Sequence, residues 1–398
     1  MKESTAIIDI GSSTIVALVG EHGVNGTFRI LGKGDVSYAG FQNSEFLEPE
    51  NLKFVIAGAL SNAEITADTK ITSVYIGVPG EFCACVTKNV NLSFPKPKKI
   101  SSFDIDNIFK TGNTFADEPN YSVINKSVIY YEIDNSKRVA DAEGLKAKSL
   151  TGNISYILAQ KSFLTMMKTI FKDLRINIAG FISSNLAECL YLFEPHIRDK
   201  YALLVDVGYI TTNVSLVRGD GLLFLNSFSL GGGYITSDLS ECLKISFSEA
   251  ERLKHKIILG WTPTQSDTYE IEGDENFQTY SAKATNDIAT DRVEMICEYV
   301  LKCLEYCDYD LPDFLPVHIT GGGFNFIKGI KNVITKKLKR QIVLVSPKLP
   351  NVNRPDYSSE VGMLNMVLNN AERLGEIIQK WGKIIWIWIW HLFVKYLL

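Results

Sequence analysis

Ala6-Ile7-Ile8-Asp9-Ile10-Gly11-Ser12-Ser13-Thr14 forms the first apolar run of the chain, and Leu203-Leu204-Val205-Asp206-Val207-Gly208-Tyr209-Ile210-Thr211 repeats its pattern past the midpoint. Each copy is an apolar run of buried-strand type, then Asp-x-Gly, then a hydroxyl residue at the same offset, then a second apolar stretch. This predicts a hairpin whose turn presents a carboxylate, a glycine and hydroxyls at one end of a sheet. Two such hairpins predict two related lobes facing each other across a cleft.

The turn chemistry suits phosphates and a hard cation. Gly11 and Gly208 are expected to take a positive φ and let the backbone approach an anion. Successive N–H groups in such turns make a nest for phosphate oxygens, and Ser12, Ser13, Thr14 and Thr211 add hydroxyl donors. Asp9 and Asp206, at strand ends, are placed to hold Mg²⁺ through its waters. One Asp-x-Gly alone reads as a plain hairpin turn; two with matching flanks read as phosphate loops. Two glycine triplets follow, Gly231-Gly232-Gly233 and Gly321-Gly322-Gly323. The second comes after strand Pro316–Thr320 and runs into a helix expected over Asn325–Lys339, so its backbone can touch a flat base or a ribose.

The 398 residues are enough for two or more domains with large cores, and 46% hydrophobic with 22% charged residues is ordinary for a globular chain. A net charge of -4 and the lack of a long basic stretch give no reason to expect nucleic acid. The one cationic cluster, Lys96-Pro97-Lys98-Lys99, reads as a solvated loop. Met1 to Thr5 is polar, so no secretory leader is expected. The odd count of seven cysteines then points to reduced thiols packed as small core residues; no metal site has convincing spacing.

Along the chain, residues 6–36 read as a hairpin and a further strand, and 48–66 as an amphipathic helix with Leu52, Val55, Ile56, Ala59, Leu60 and Ala63 on one face. A strand ends at Val78-Pro79-Gly80. Residues 83–161, with a texture of their own, read as a small inserted α+β subdomain. A helix over Leu164–Leu174, a strand over Ile176–Ser183 and a helix over Asn185–Phe193 lead to the second hairpin. Residues 234–315 are mainly helical and include an acidic, Thr-rich loop or hairpin at Thr264–Asp274.

This order of motifs resembles the actin-like ATPase superfamily, and within it the bacterial FtsA family. Thr236-Ser237-Asp238-Leu239 is similar to that family's T-[NS]-D-[IL], and Ala250-Glu251-Arg252-Leu253-Lys254 to its A-E-x-I-K. Arg354-Pro355, Tyr357 and Gly362 resemble its closing segment, and Ser127–Ile133, Gly144-Leu145 and Thr151-Gly152 the interior of its inserted subdomain. The resemblance implies an α/β, two-lobed, ribonuclease-H-like fold. Subdomain 1A would cover 1–82 and 162–199, the insertion 1C 83–161, subdomain 2A 200–233 and 316–370, and subdomain 2B 234–315. It further implies ATP with Mg²⁺ as ligand, with Glu251 and Lys254 near the ribose and base and Phe324 beside the adenosine turn. The implied activity is an ATP-binding protein that polymerises on the cytoplasmic face of the membrane at the division site. Its implied partners are the C-terminal peptide of FtsZ, other copies of itself, anionic inner-leaflet lipid and other division proteins. Asp287–Arg292 resembles the helix start that takes the FtsZ peptide, with Arg292 facing its acidic groups. The same superfamily leaves two other readings: a pilus-assembly ATPase of PilM type and, in another class, a metabolic kinase.

Several positions depart from the family. Thr14 stands where its first phosphate loop carries Lys, and Tyr209 and Ile210 replace small residues of the second. The region Ser183–Ala187 offers no Glu or Gln to orient water, and Glu188 is expected to face another way. The expected result is nucleotide binding with at most slow hydrolysis.

Trp381-Gly382-Lys383-Ile384-Ile385-Trp386-Ile387-Trp388-Ile389-Trp390-His391-Leu392-Phe393-Val394-Lys395 runs toward the chain end. Its apolar run is shorter than the ~20 residues a transmembrane helix needs. Trp and Lys favour the headgroup region of anionic lipid, so 371–398 reads as a linker and an in-plane membrane helix, the family's own ending. A core helix and an aggregating Ile-Trp strand are the other readings.

Overall fold

The structure, a computed structural model, describes residues 4–23, 27–42, 45–273 and 276–369. Two five-stranded sheets share one topology. In the first, the order is Asn177–Ser183, Ser73–Val78, Thr5–Ile10, Thr14–His22, Phe28–Ser37. In the second it is Ile342–Leu344, Val317–Thr320, Ala202–Val207, Thr212–Arg218, Gly221–Phe228. In both, three antiparallel strands are extended by two parallel ones. The register of the duplicated hairpins matches as well, since Asp9 pairs with Val16 and Asp206 with Asn213, seven residues on in each case. Ile7, Ile8, Leu203 and Leu204 are buried, as strands covered on both faces must be.

Helix Pro49–Ala67 covers the first sheet with the six residues its periodicity predicts. Gly34 lets it close in, because a Cβ there would stand 2.5 Å from the backbone N of Ala63. Between the lobe-one strands Ser73–Val78 and Asn177–Ser183 lies a four-stranded antiparallel sheet, Cys83–Lys99, Lys146–Gln160, Tyr121–Ile133 and Lys137–Val139. Helix Ser102–Gly112, capped reciprocally by Ser101 and Asp104, packs on it. Lys96–Lys99, expected as a loop, is instead the exposed end of the strand Cys83–Lys99: cross-strand bonds to Ala147 and Lys146 hold it extended.

The insertion also touches lobe two. The Asp220 N–H donates to Val128 O at 3.1 Å, and Ile157 shares a core with Leu204, Val217 and Leu222. Residues 358–369 are helical and return to lobe one, where Val361, Met363 and Leu364 pack on Ile7, Val16 and Leu18. The second lobe carries helices Gly233–Leu243, Phe247–Lys254 and Ala282–Glu305 and a hairpin, Thr268–Glu272 with Phe277–Ser281, at the acidic stretch. The carboxyl ends of the parallel strands in both lobes open on one cleft, the place where open α/β sheets bind ligands.

Candidate nucleotide cleft between the lobes

The cleft has a volume of about 430 Å³, in the range of small-molecule sites. Asp9 through Thr14 line one side, and Asp206, Gly208, Tyr209 and Thr211 line the other. Glu251, Lys254, Gly321 and Gly322 complete the predicted lining. Gly231, Gly232, Gly233, Gly323 and Phe324 stand behind it. Gly232 N donates to Gly208 O at 2.9 Å and Gly233 N to Tyr209 O at 2.7 Å, so the first triplet seats helix Gly233–Leu243 against the second turn. Phe324 is buried, and Phe326 faces the cleft in its place.

The two turns are alike in a way the sequence reading placed elsewhere. Neither Gly11 nor Gly208 has a positive φ; among this set only Gly321 does, at 92°. Glycine is required for space: a Cβ would lie 2.6 Å from Thr14 O at Gly11 and 2.9 Å from Thr211 O at Gly208. The turns also touch each other. The Ile210 N–H donates to Ser12 Oγ at 3.2 Å, and the Ile210 side chain packs against the core of lobe one. The helix expected over Asn325–Lys339 begins only at Ile330, because Gly329 at φ 74° interrupts the chain before it. No helix N-terminus therefore backs the Gly321–Gly323 turn.

The floor of the cleft is acidic. Ser184 Oγ donates to Asp9 at 2.9 Å, and burial nevertheless raises the Asp9 carboxyl. Burial, opposed by the Asn213 amide and reinforced by the Asp9 charge, pushes Asp206 up to about 6. Glu81 is raised to about 7 by burial and then by Asp206 and Asp9. Glu188 and Glu360 are raised well above the ordinary carboxyl range, by burial first and by the same two aspartates. Among the described residues, one oxygen each of Glu81, Asn185 and Glu360 is buried without a hydrogen-bond partner.

Glu188 corrects an expectation. On helix Ser184–Leu192, Glu188 comes four residues after Ser184 and three after Asn185, so all three share the face that lines the cleft. Glu81 and Asn185 were missed too, although both follow the carboxyl ends of parallel strands, a signal the sequence contained. Glu360, His255 and Phe326 carried no such signal.

Asp9 and Asp206 both line the cleft, and among the described residues no group of three or more His, Cys, Asp or Glu side chains is close enough to ligate a metal ion directly. Of the cations lining the cleft, Lys254 pairs with Glu251 at 2.7 Å and Arg354 with Asp356 at 2.6 Å. Neither replaces a lysine at Thr14. Arg292, expected to face a peptide, is held by Asp238 through two bonds of 2.5 and 2.6 Å. It lies in the third turn of helix Ala282–Glu305, because Ser281 caps the helix and sets its start ahead of Asp287–Arg292. Trp381, Lys383, Trp386, Trp388, Trp390, Phe393 and Lys395 lie outside the described residues. Among the described residues no helix is long and apolar enough to cross a membrane.

Residues 203–362 match the family described as Cell division protein FtsA. The chain resembles FtsA. It is 24% identical over 364 residues to the cell division protein FtsA of Staphylococcus epidermidis, covering 90% of this chain and 77% of that one. To the FtsA of Bacillus subtilis it is 22% identical over 376 residues, 93% of this chain and 85% of that protein. Among solved structures, the PilM-PilN type IV pilus biogenesis complex matches with a TM-score of 0.61 at 12% identity, covering 92% of this chain and 99% of that one. MreB 5 of Spiroplasma citri bound to AMPPNP matches with a TM-score of 0.53 at 10% identity, covering 96% and 99%. The fold is thus α/β and actin-like, while the sequence likeness is to FtsA.

Proposed function

We propose that this chain is an FtsA-type division protein that binds a nucleotide with Mg²⁺, assembles with copies of itself on the inner face of the membrane and tethers FtsZ there. The observation that carries the reading is the meeting of two Asp-x-Gly turns in one cleft, in a chain that resembles FtsA along nine-tenths of its length. The turn amides and the hydroxyls of Ser13, Thr14 and Thr211 would hold phosphates. Asp9 and Asp206 would hold the waters of the cation, whose charge offsets the acidic floor. Glu188, Glu81 and Glu360 would then release their protons, because a nearby cation favours the charged form. With no lysine at position 14, hydrolysis would be slow; Glu188, which lines the cleft, would be the carboxyl that orients water.

Lobe closure around the nucleotide would favour the assembling form. The Trp-rich segment 381–398 would lie in the headgroup layer. The FtsZ peptide would dock on the 234–315 region; Arg292 contributes only where the peptide displaces Asp238. A fluorescent peptide of the FtsZ C-terminus, mixed with anionic vesicles and the full chain, should pellet with them. Peptide in the pellet no higher than with vesicles alone would rule out tethering.

A further inference from the structure

We infer that Ile210 makes the cleft prefer nucleoside diphosphates to triphosphates, because it pins the two turns together where a third phosphate would bridge them. This rests on the nucleotide reading above. The two turns are unequal as phosphate sites. Among the described residues no hydrogen bond uses the N–H of Ser12 or Ser13, so the first turn keeps these donors. On the second turn, Gly208 N–H donates to Thr211 O at 2.8 Å and Ile210 N–H to Ser12 Oγ at 3.2 Å. An amide has one proton to give, so neither serves a phosphate while these bonds stand. Ser12 only accepts in its bond, and its hydroxyl proton stays available to a phosphate on its own turn.

A third phosphate has to reach from the first turn to the second. One of its oxygens accepting from both Ser12 Oγ and Ile210 N, at about 2.8 Å from each, would hold those atoms about 4–5 Å apart. They stand 3.2 Å apart, so the turns must part to admit it. Ile210 resists that movement. Its side chain is half-buried and, although the residue belongs to lobe two, packs against the core of lobe one. Parting the turns returns this apolar surface to water. A second contact holds the lobes together at the same end. Gly80, just past strand Ser73–Val78, sits so close to lobe two that a Cβ there would lie 2.7 Å from Ser227 Oγ, and the Ser227 hydroxyl in turn donates to Asn213 Oδ1 at 2.6 Å. In the FtsA family the loop position of Ile210 is small, so the pin belongs to this chain.

The test is calorimetric titration of the full chain with Mg-ADP and Mg-ATP. Wild-type protein should bind Mg-ADP about tenfold tighter than Mg-ATP, the scale of a half-buried isoleucine side chain leaving its core. Ile210→Gly keeps the amide and removes the side chain. It should bind Mg-ATP at least about tenfold tighter than wild type does, with Mg-ADP within about twofold. Ile210→Ala should move the ratio in the same direction by less. A wild type that binds Mg-ATP as tightly as Mg-ADP would overturn the role of Ile210 and leave the nucleotide reading standing. So would two variants, folded by circular dichroism, with an unchanged ratio or with both ligands lost together. Wild-type protein that binds neither nucleotide would overturn the nucleotide reading and this inference with it.

Discussion

The nucleotide-free chain should lose several kcal/mol of stability between pH 5 and pH 8. Glu81 is held up to about 7 and Asp206 to about 6, against ordinary values of 4.5 and 3.8. Between each pair of values the folded protein keeps a proton that the unfolded chain releases, so unfolding gains as pH rises. At about 1.4 kcal/mol per pH unit, from pH 5 upward Glu81 removes roughly 3 kcal/mol and Asp206 roughly 1.4 kcal/mol, and each loss is complete once pH passes the group's folded value. Glu188 and Glu360, raised further, extend the slope upward. Urea unfolding at fixed salt, in EDTA, measures it. Glu81→Gln should flatten the slope and stabilise the protein at pH 8, and Mg-ATP should flatten it in the wild type. Stability that rises from pH 5 to pH 8 would mean that the cleft carboxyls are ionised and already compensated.

Removing residues 381–398 should abolish pelleting with anionic vesicles. Four of the five tryptophans lie in this segment, together with Lys383 and Lys395. Interfacial binding grows with buried apolar area and with attraction to anionic lipid. Loss of both should reduce the vesicle-bound fraction by at least tenfold, and raising the salt should weaken full-length binding in part, because only the lysine share is screened. Undiminished pelleting of the shortened chain would place the membrane contact in the folded body. Trp386→Glu in the full chain gives a milder version of the same test.

The duplicated hairpin was legible because burial on both faces forces a continuous apolar run, and because Asp-x-Gly ends both runs at one register. The helix Pro49–Ala67 was legible for the same kind of reason: its period placed six residues on one face. What stayed hidden was local backbone geometry in some places and a contact between distant segments in others. Residue types do not reveal that the Cβ of Gly11, rather than its φ, is the constraint, because the clash is with the backbone carbonyl of Thr14, three residues on, and depends on how the turn folds. Glu188 was legible and overlooked: four residues after Ser184 on one helix, it shares that residue's face wherever the helix starts. Arg292 looked available in the sequence because its partner Asp238 lies 54 residues away. Phe324 and Phe326 differ only in which side of an irregular segment they leave, and Gly329 makes that segment irregular.

Titration of the full chain with ATP, in Mg²⁺ and in excess EDTA, tests the nucleotide site most directly. Eight carboxyls and only two fully charged cations line the cleft, and both cations are already paired, so a triphosphate without its metal meets an acidic floor. The predicted result is one-site binding in Mg²⁺, weakened at least about a hundredfold in EDTA, the scale of losing a charge-assisted contact of roughly 3 kcal/mol. Equal binding with and without Mg²⁺, or none in either, would contradict it.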